Sequence, residues 1–151
     1  MDKATIIQMI TDAYNAAGLN PAVGIAQAKA ESGFNPLASS GKAQGLFQFT
    51  PDAWSDWGNG NIWDVSAQIA ANVAYMKFLI SKFNGRLDIA LAAYNSGPNR
   101  QEYRDAAAQN RPINWAALPP GVKAESRPYA QKILSDAGIP AAFRMPAPIK
   151  R

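Results

Sequence analysis

Between residues 64 and 83 the apolar side chains Val65, Ile69, Val73, Met76, Ile80 and Phe83 recur at spacings of three and four. That is the period of one helix face, not the alternation of a strand. A chain whose longest apolar pattern has this period must bury a stripe against other helices. The period returns in Ile6, Met9, Ile10, Ala13, Tyr14 and Ala17, with Gly18 placed to close that helix. Asn20-Pro21 supplies a cap and a first-turn proline for a second helix, running through Val23, Ala26, Gln27 and Ala30 to Glu31. Ser32-Gly33 then breaks it. Residues 33–50 mix Gly, Asn, Pro and Ser with short apolar pieces and read as a folded loop or small hairpin. Thr50-Pro51 opens a short helix carrying Trp54 and Trp57, residues 58–61 form a turn, and Asn84-Gly85 stops the long helix. Further helices are expected at 87–94, 99–109 and 122–137, with a proline-punctuated loop at 110–121. The expected architecture is a mainly α single domain, residues 1–138, of about six to eight helices. A Pro-rich tail, 139–151, is expected as a strap or loose end.

Function classes narrow quickly because the chain contains no histidine and no cysteine. Disulfides, thiol nucleophiles, Cys/His zinc sites and Ser-His or Cys-His triads are excluded. Acid–base chemistry has to come from carboxylates, lysine, tyrosine or the chain terminus. The net charge of +4 suits a polyanionic partner, but Lys and Arg are dispersed, so nucleic acid is not expected. The amino end lacks the pattern of a secretory leader, and no apolar run approaches the ~20 residues of a membrane helix. A soluble polypeptide with no membrane insertion, delivered by something other than its own leader, is the expectation.

The chain has three glutamates, Glu31, Glu102 and Glu125, against eight aspartates. Glu is a good helix former normally scattered over exposed faces, so each one here invites a question. Glu31 ends an alanine-rich helix, where the macrodipole disfavours a negative charge and tends to raise the carboxyl pKa. Ala26, Ala28, Ala30 and Phe34 are expected to add desolvation. A carboxylic acid still protonated near neutral pH is what cleavage of a glycosidic bond requires. On this stretch alone, a solvent-facing Glu before a turn reads equally well. In "AQGLFQFTP" (43–51) an extended backbone puts Phe47 and Phe49 on one side and Gln48 on the other, free to meet a sugar hydroxyl or acetamido group. Both Phe residues read equally as core, Phe49 especially. In "AAYNSGP" (92–98) the Tyr94 phenol could hydrogen-bond a ligand, or simply pack.

Together, "ESGFNP", "GLFQFTP", "AAYNSGP" and "VKAESRPYAQKIL" (122–134) follow the order of the soluble lytic transglycosylase catalytic domain, related to goose-type lysozyme, and the chain resembles that family over roughly residues 20–135. The last block looks like the family's Glu-Thr-Arg-x-Tyr motif with Ser126 for threonine. The resemblance implies a lysozyme-like fold and Glu31 as catalytic acid and base, steadied by Ser32. It further implies that Gln48 contacts the sugar and that Phe47, where methionine is usual, walls the groove. Tyr94 would hydrogen-bond near the acid or the acetamido group, Asn95 would hold that turn, and Glu125 with Tyr129 would flank the muramyl side. Asn72 stands where the family usually has glycine, and the loop from Pro36 to Gly45 is one residue shorter than is common.

The implied reaction needs no metal and no organic cofactor. Most glycosidases use two carboxylates, yet no acid occurs between Ser32 and Pro51, which fits a one-carboxylate mechanism. Glu31 would protonate the bridging oxygen between N-acetylmuramic acid and N-acetylglucosamine. It would then take the proton of the muramyl C6 hydroxyl, closing a 1,6-anhydro ring. A hydrolase delivering water, or a silent virion or wall-binding module, shares the same scaffold. Peptidoglycan glycan strands are the implied partner, for a monomer. A bacteriophage setting is expected: made in the host cytoplasm, the protein would act in the periplasm and cell wall, or travel in the virion with other virion proteins. Trp54, Trp57, Trp63 and Trp115 read first as core, with one of them expected in the groove.

Overall fold

The structure, a computed structural model, describes residues 1–140, so residues 141–151 of the Pro-rich tail lie outside the described residues. Among the described residues there are seven α-helices and one 3₁₀ turn, with β-pairing limited to isolated bridges. The mainly helical expectation holds. The chain divides into two compact units, one spanning Met1–Tyr75 and one beginning at Met76.

In the first unit, α1 (Lys3–Ala16) begins at Asp2, whose carboxylate accepts from the Thr5 amide at 2.8 Å. It buries Ile6, Ile10 and Tyr14, every fourth residue, against α2 (Pro21–Ser32). The Asn20 side chain caps α2 and Pro21 takes its first turn, as read from the sequence. Gly24 permits the close approach of α1 and α2, since a Cβ there would lie 2.5 Å from the Tyr14 ring. Behind this contact runs a buried polar chain. The Tyr14 hydroxyl donates to Asn72 Oδ1, and Asn72 Nδ2 donates to Gln27 Oε1 at 2.8 Å. All three residues are at most 1% exposed, and burial pushes the Tyr14 phenol pKa up. Because each polar group finds a partner, the core accepts them. This is what the Asn72 departure accomplishes.

Residues 33–50 form a loop with two isolated antiparallel bridges, Ser39–Gln44 and Gln44–Phe49. The extended reading of 47–49 is corrected: Gln48 has φ 52°, in a turn, while Phe47 and Phe49 are both buried. Helix α3 (Pro51–Trp57) follows, capped by the Thr50 hydroxyl, which accepts from the Ala53 amide at 3.2 Å. The tryptophans are also corrected, for none is buried and Trp63 is 41% exposed. They lie on short elements and loops, too small to enclose an indole. Trp57 stacks on Tyr75, their ring centroids 5.1 Å apart.

Helix α4 (Val65–Lys82) is the longest, and the boundary between the units falls inside it. Of its expected stripe, Ile69, Met76, Ile80 and the following Phe83 are buried, whereas Val65 and Val73 are half-buried. In the second unit, α5 (Leu87–Ser96) buries six of its ten residues and packs on α7 (Pro120–Asp136) and α6 (Gln101–Gln109). Helix α5 runs on through Asn95 and Ser96, beyond the expected end at 94. Pro128 sits within α7 on its exposed face, and the carbonyl it cannot bond, that of Ala124, is on an exposed residue too.

Glu102 on α6 is 8% exposed and takes both guanidinium nitrogens of Arg111, at 2.6 and 2.9 Å, and the Asn114 amide at 2.7 Å. The Arg111 hydrogen bonds, helped by Asn114, hold its carboxyl below the usual range despite burial. A depressed folded-state pKa contributes stability above the unfolded value, near pH 4.3, and loses it as pH falls through the folded value. Urea midpoints of the parent should therefore fall on acidification, and Glu102→Gln should flatten that dependence. Arg111→Met should cost about 2 kcal/mol at pH 7, below the ~3–5 kcal/mol for breaking a fully buried pair because Arg111 is partly exposed.

Candidate active site

Helix α2 ends through Glu31 and Ser32 on Gly33, which has φ 61° and donates to Lys29 O. Glu31 lies half-buried in that last turn. The flanking alanines are only partly as expected: Ala26 and Ala28 are buried, whereas Ala30 is exposed. Ser32 is the anchor. Its hydroxyl bonds to Ala28 O at 3.2 Å and to Leu46 O at 2.8 Å, and it accepts from the Asn35 amide at 3.1 Å. One side chain thus fastens the Glu31 turn to the 33–50 loop and shapes the loop's first residues. Phe34 and Gln48 hold φ of 64° and 52° without being Gly or Asn. Such conformations persist only where surroundings enforce them, and they concentrate at functional sites.

A second anchor of this loop is one the sequence analysis missed. Gln68 on α4 is 1% exposed. Its carbonyl oxygen accepts from the Leu46 amide at 2.8 Å, and its nitrogen donates to Ile62 O at 2.7 Å and Pro36 O at 3.1 Å. The Leu46 peptide is therefore held from both sides, its N–H by Gln68 and its C=O by Ser32. Gly45, at φ 85°, is required here because a Cβ would come within 2.8 Å of the Gln68 amide. The Gln48 side chain closes the loop by donating to Gly45 O at 2.9 Å. Phe47 is 0% exposed. It presents no surface to a ligand, so the expectation that it walls the groove is corrected.

In the second unit, Tyr94 and Asn95 occupy the last turn of α5, and Glu125 and Tyr129 lie on α7. Asn95 is clamped by α7. Ser126 Oγ donates to its oxygen at 2.7 Å, and its nitrogen donates to Glu125 at 3.3 Å. Ser96 continues the network, its hydroxyl 2.6 Å from that of Tyr103 and its carbonyl accepting from Arg100 Nε at 2.9 Å. The late Glu-Ser-Arg-Pro-Tyr stretch thus holds the end of α5, with Ser126, absent from the sequence-derived site, making the shortest bond from α7. A hollow of ≈450 Å³ opens beside Asn95, Arg100 and Glu125. Among the described residues, no cluster of carboxylates could hold a metal ion, and no helix is long and apolar enough to cross a membrane.

The family model for the transglycosylase SLT domain matches residues 8–115, more than two thirds of the chain. The chain belongs to the transglycosylase SLT domain family. Glu125 and Tyr129 of this SLT domain lie beyond the matched segment. Its fold resembles an inactive glutamate-to-glutamine variant of the lytic transglycosylase Slt from Pseudomonas aeruginosa, with TM-score 0.67, 26% identity and 86% of this chain covered. It also resembles the 70 kDa soluble lytic transglycosylase of Escherichia coli, with TM-score 0.70, 22% identity and 86% coverage. The SLT domain spans 23% of the length of each of these proteins.

Proposed function

We propose that this SLT domain cleaves the β-1,4 bond between N-acetylmuramic acid and N-acetylglucosamine in peptidoglycan and releases a 1,6-anhydromuramyl product, with Glu31 as the single acid and base. The observation that carries the reading is the fastening of the Glu31 turn to a strained loop through Ser32 and the doubly held Leu46 peptide. The other two glutamates are poorer candidates. Glu102 is locked to Arg111 and kept ionised, and Glu125 is exposed and accepts from Asn95. In the Pseudomonas aeruginosa Slt, exchange of one glutamate for glutamine accompanies inactivity.

In this mechanism Glu31 gives its proton to the bridging oxygen as the bond breaks, and the substrate's acetamido group stabilises the developing cation. The carboxylate so formed accepts the proton of the muramyl C6 hydroxyl as its oxygen closes the anhydro ring. The proton count balances, water is not consumed, and one carboxyl group serves both steps. Ser32 fixes the carboxyl-bearing turn. Gln48 and Tyr94 address sugar polar groups, Asn95 holds the end of α5, and Glu125 with Tyr129 flank the muramyl side. The +4 charge favours approach to an anionic wall, an attraction that salt weakens. We place this activity in bacteriophage-driven wall breaching, at lysis or at DNA delivery. Detecting the protein in purified particles would separate those two settings.

The test is digestion of purified sacculi with product masses. Lytic transglycosylase action yields muropeptides one water lighter than hydrolysis products and lacking a reducing end. Reducing, hydrated products would instead identify a muramidase on the same scaffold, and intact sacculi would identify a silent binding module.

A further inference from the structure

A cavity of ≈390 Å³ in the second unit is lined by Arg86, Arg111, Arg127, Ile113, Trp115 and Leu134, none of which has a role in the proposed cleavage. It lies on the other side of α7 from the Asn95 clamp. At 3.6 residues per turn, positions 127, 130, 131 and 134 share one helix face, while 122, 125, 126 and 129 share the opposite one. The cavity is large enough for a small ligand and combines an apolar floor with a few polar groups, as binding sites do. Ile113 and Leu134 supply the floor, at 9% and 3% exposure, and the half-buried Trp115 offers a ring.

Charge defines what fits. Arg86 is 6% exposed, pairs with Asp88 at 2.9 Å and donates to Arg111 O at 2.8 Å. Arg111 is taken by Glu102. Arg127 is exposed and, among the described residues, makes no ion pair. With two guanidinium groups neutralised inside the fold, one positive charge faces the cavity. A carboxylate balances it with one negative charge and matches the guanidinium fork, whereas a phosphate monoester brings close to two. We propose that this cavity binds the carboxyl end of a short peptide, with the carboxylate on Arg127 and the terminal aliphatic side chain over Ile113, Trp115 and Leu134. On the reading of this SLT domain as a peptidoglycan-cutting enzyme, the stem peptides of the wall supply such ends, on the face of α7 opposite the Asn95 clamp.

The full chain would be titrated with N-acetyl-D-alanyl-D-alanine, its C-terminal amide and inorganic phosphate, by calorimetry. Saturable binding of the acid is expected with a dissociation constant of about 1 mM. The amide should bind at least about tenfold more weakly, since it lacks the charge-assisted bond. Arg127→Gln, a change on the exposed face of α7, should reduce the acid to the level of the amide. No saturation, equal binding of acid and amide, tighter binding of phosphate than of peptide, or an unaffected Arg127→Gln variant would overturn the proposal. Sacculus digestion by the same preparation keeps the two readings apart. Cleavage without peptide binding removes only this inference, and peptide binding without cleavage removes only the functional reading.

Discussion

Glu31→Gln is expected to lower sacculus cleavage by about 10³-fold or more while leaving the fold intact. General acid–base catalysis is worth about 10²–10⁴-fold, and in the proposed reaction the same carboxyl group serves in both directions. Glutamine keeps the size and hydrogen-bonding reach of glutamate but cannot give up and regain a proton. Glutamine is as neutral as the protonated acid at the C-terminal turn of α2. The variant should therefore melt within a few degrees of the parent. Cleavage within about tenfold of the parent would refute the assignment.

Gln68→Met should cost about 3 kcal/mol of stability, although methionine fits the space and is more apolar. The loss arises because the Leu46 amide and the Ile62 and Pro36 carbonyls keep their need for partners when the amide is gone, at about 1–3 kcal/mol for each group left buried and unpaired. The Leu46 peptide would then be held by Ser32 alone, so cleavage by the folded fraction should fall as well. Gln68→Glu separates the hydrogen-bonding role from packing. An ionised glutamate at this 1% exposed position can only accept, and it faces two carbonyl oxygens. Burial raises its folded-state pKa, so the stability it contributes is present at low pH and lost as pH rises through that value. Chemical denaturation should find Gln68→Glu closer to the parent at about pH 4 than at pH 8. Equal deficits at both values would mean that Gln68 acts by volume alone.

How much could be read from the chain differed between helices and loop. Helix α4 was legible because Ile69, Met76 and Ile80 repeat at the helical period and the Asn84-Gly85 stop is local chemistry. The caps at Asn20 and Thr50 were legible for the same reason, each needing only a side-chain oxygen and an amide two or three residues on. Glu31 stood out because its position at a helix end is a property of neighbouring residues. Gln68 did not stand out, and Asn72 and Ser126 stood out only as departures from the family pattern, with no role attached. Each bonds partners distant in the chain, Gln68 to a loop 22 positions away and Ser126 to Asn95 31 positions away. The left-handed turn at Gln48 has no local signal, because Ser32 and Gln68, the groups that hold the neighbouring Leu46, are distant in the chain.

By itself the sequence determined the helical class, the caps of α2 and α3, the exclusion of thiol and imidazole chemistry and the glutamate worth testing, because periodicity, caps and composition are short-range quantities. Tertiary structure alone decided which amides are buried, which aromatic rings reach solvent and which loop residues are forced left-handed. Those outcomes depend on which distant groups meet, and a buried polar atom has to be paired wherever along the chain its partner lies.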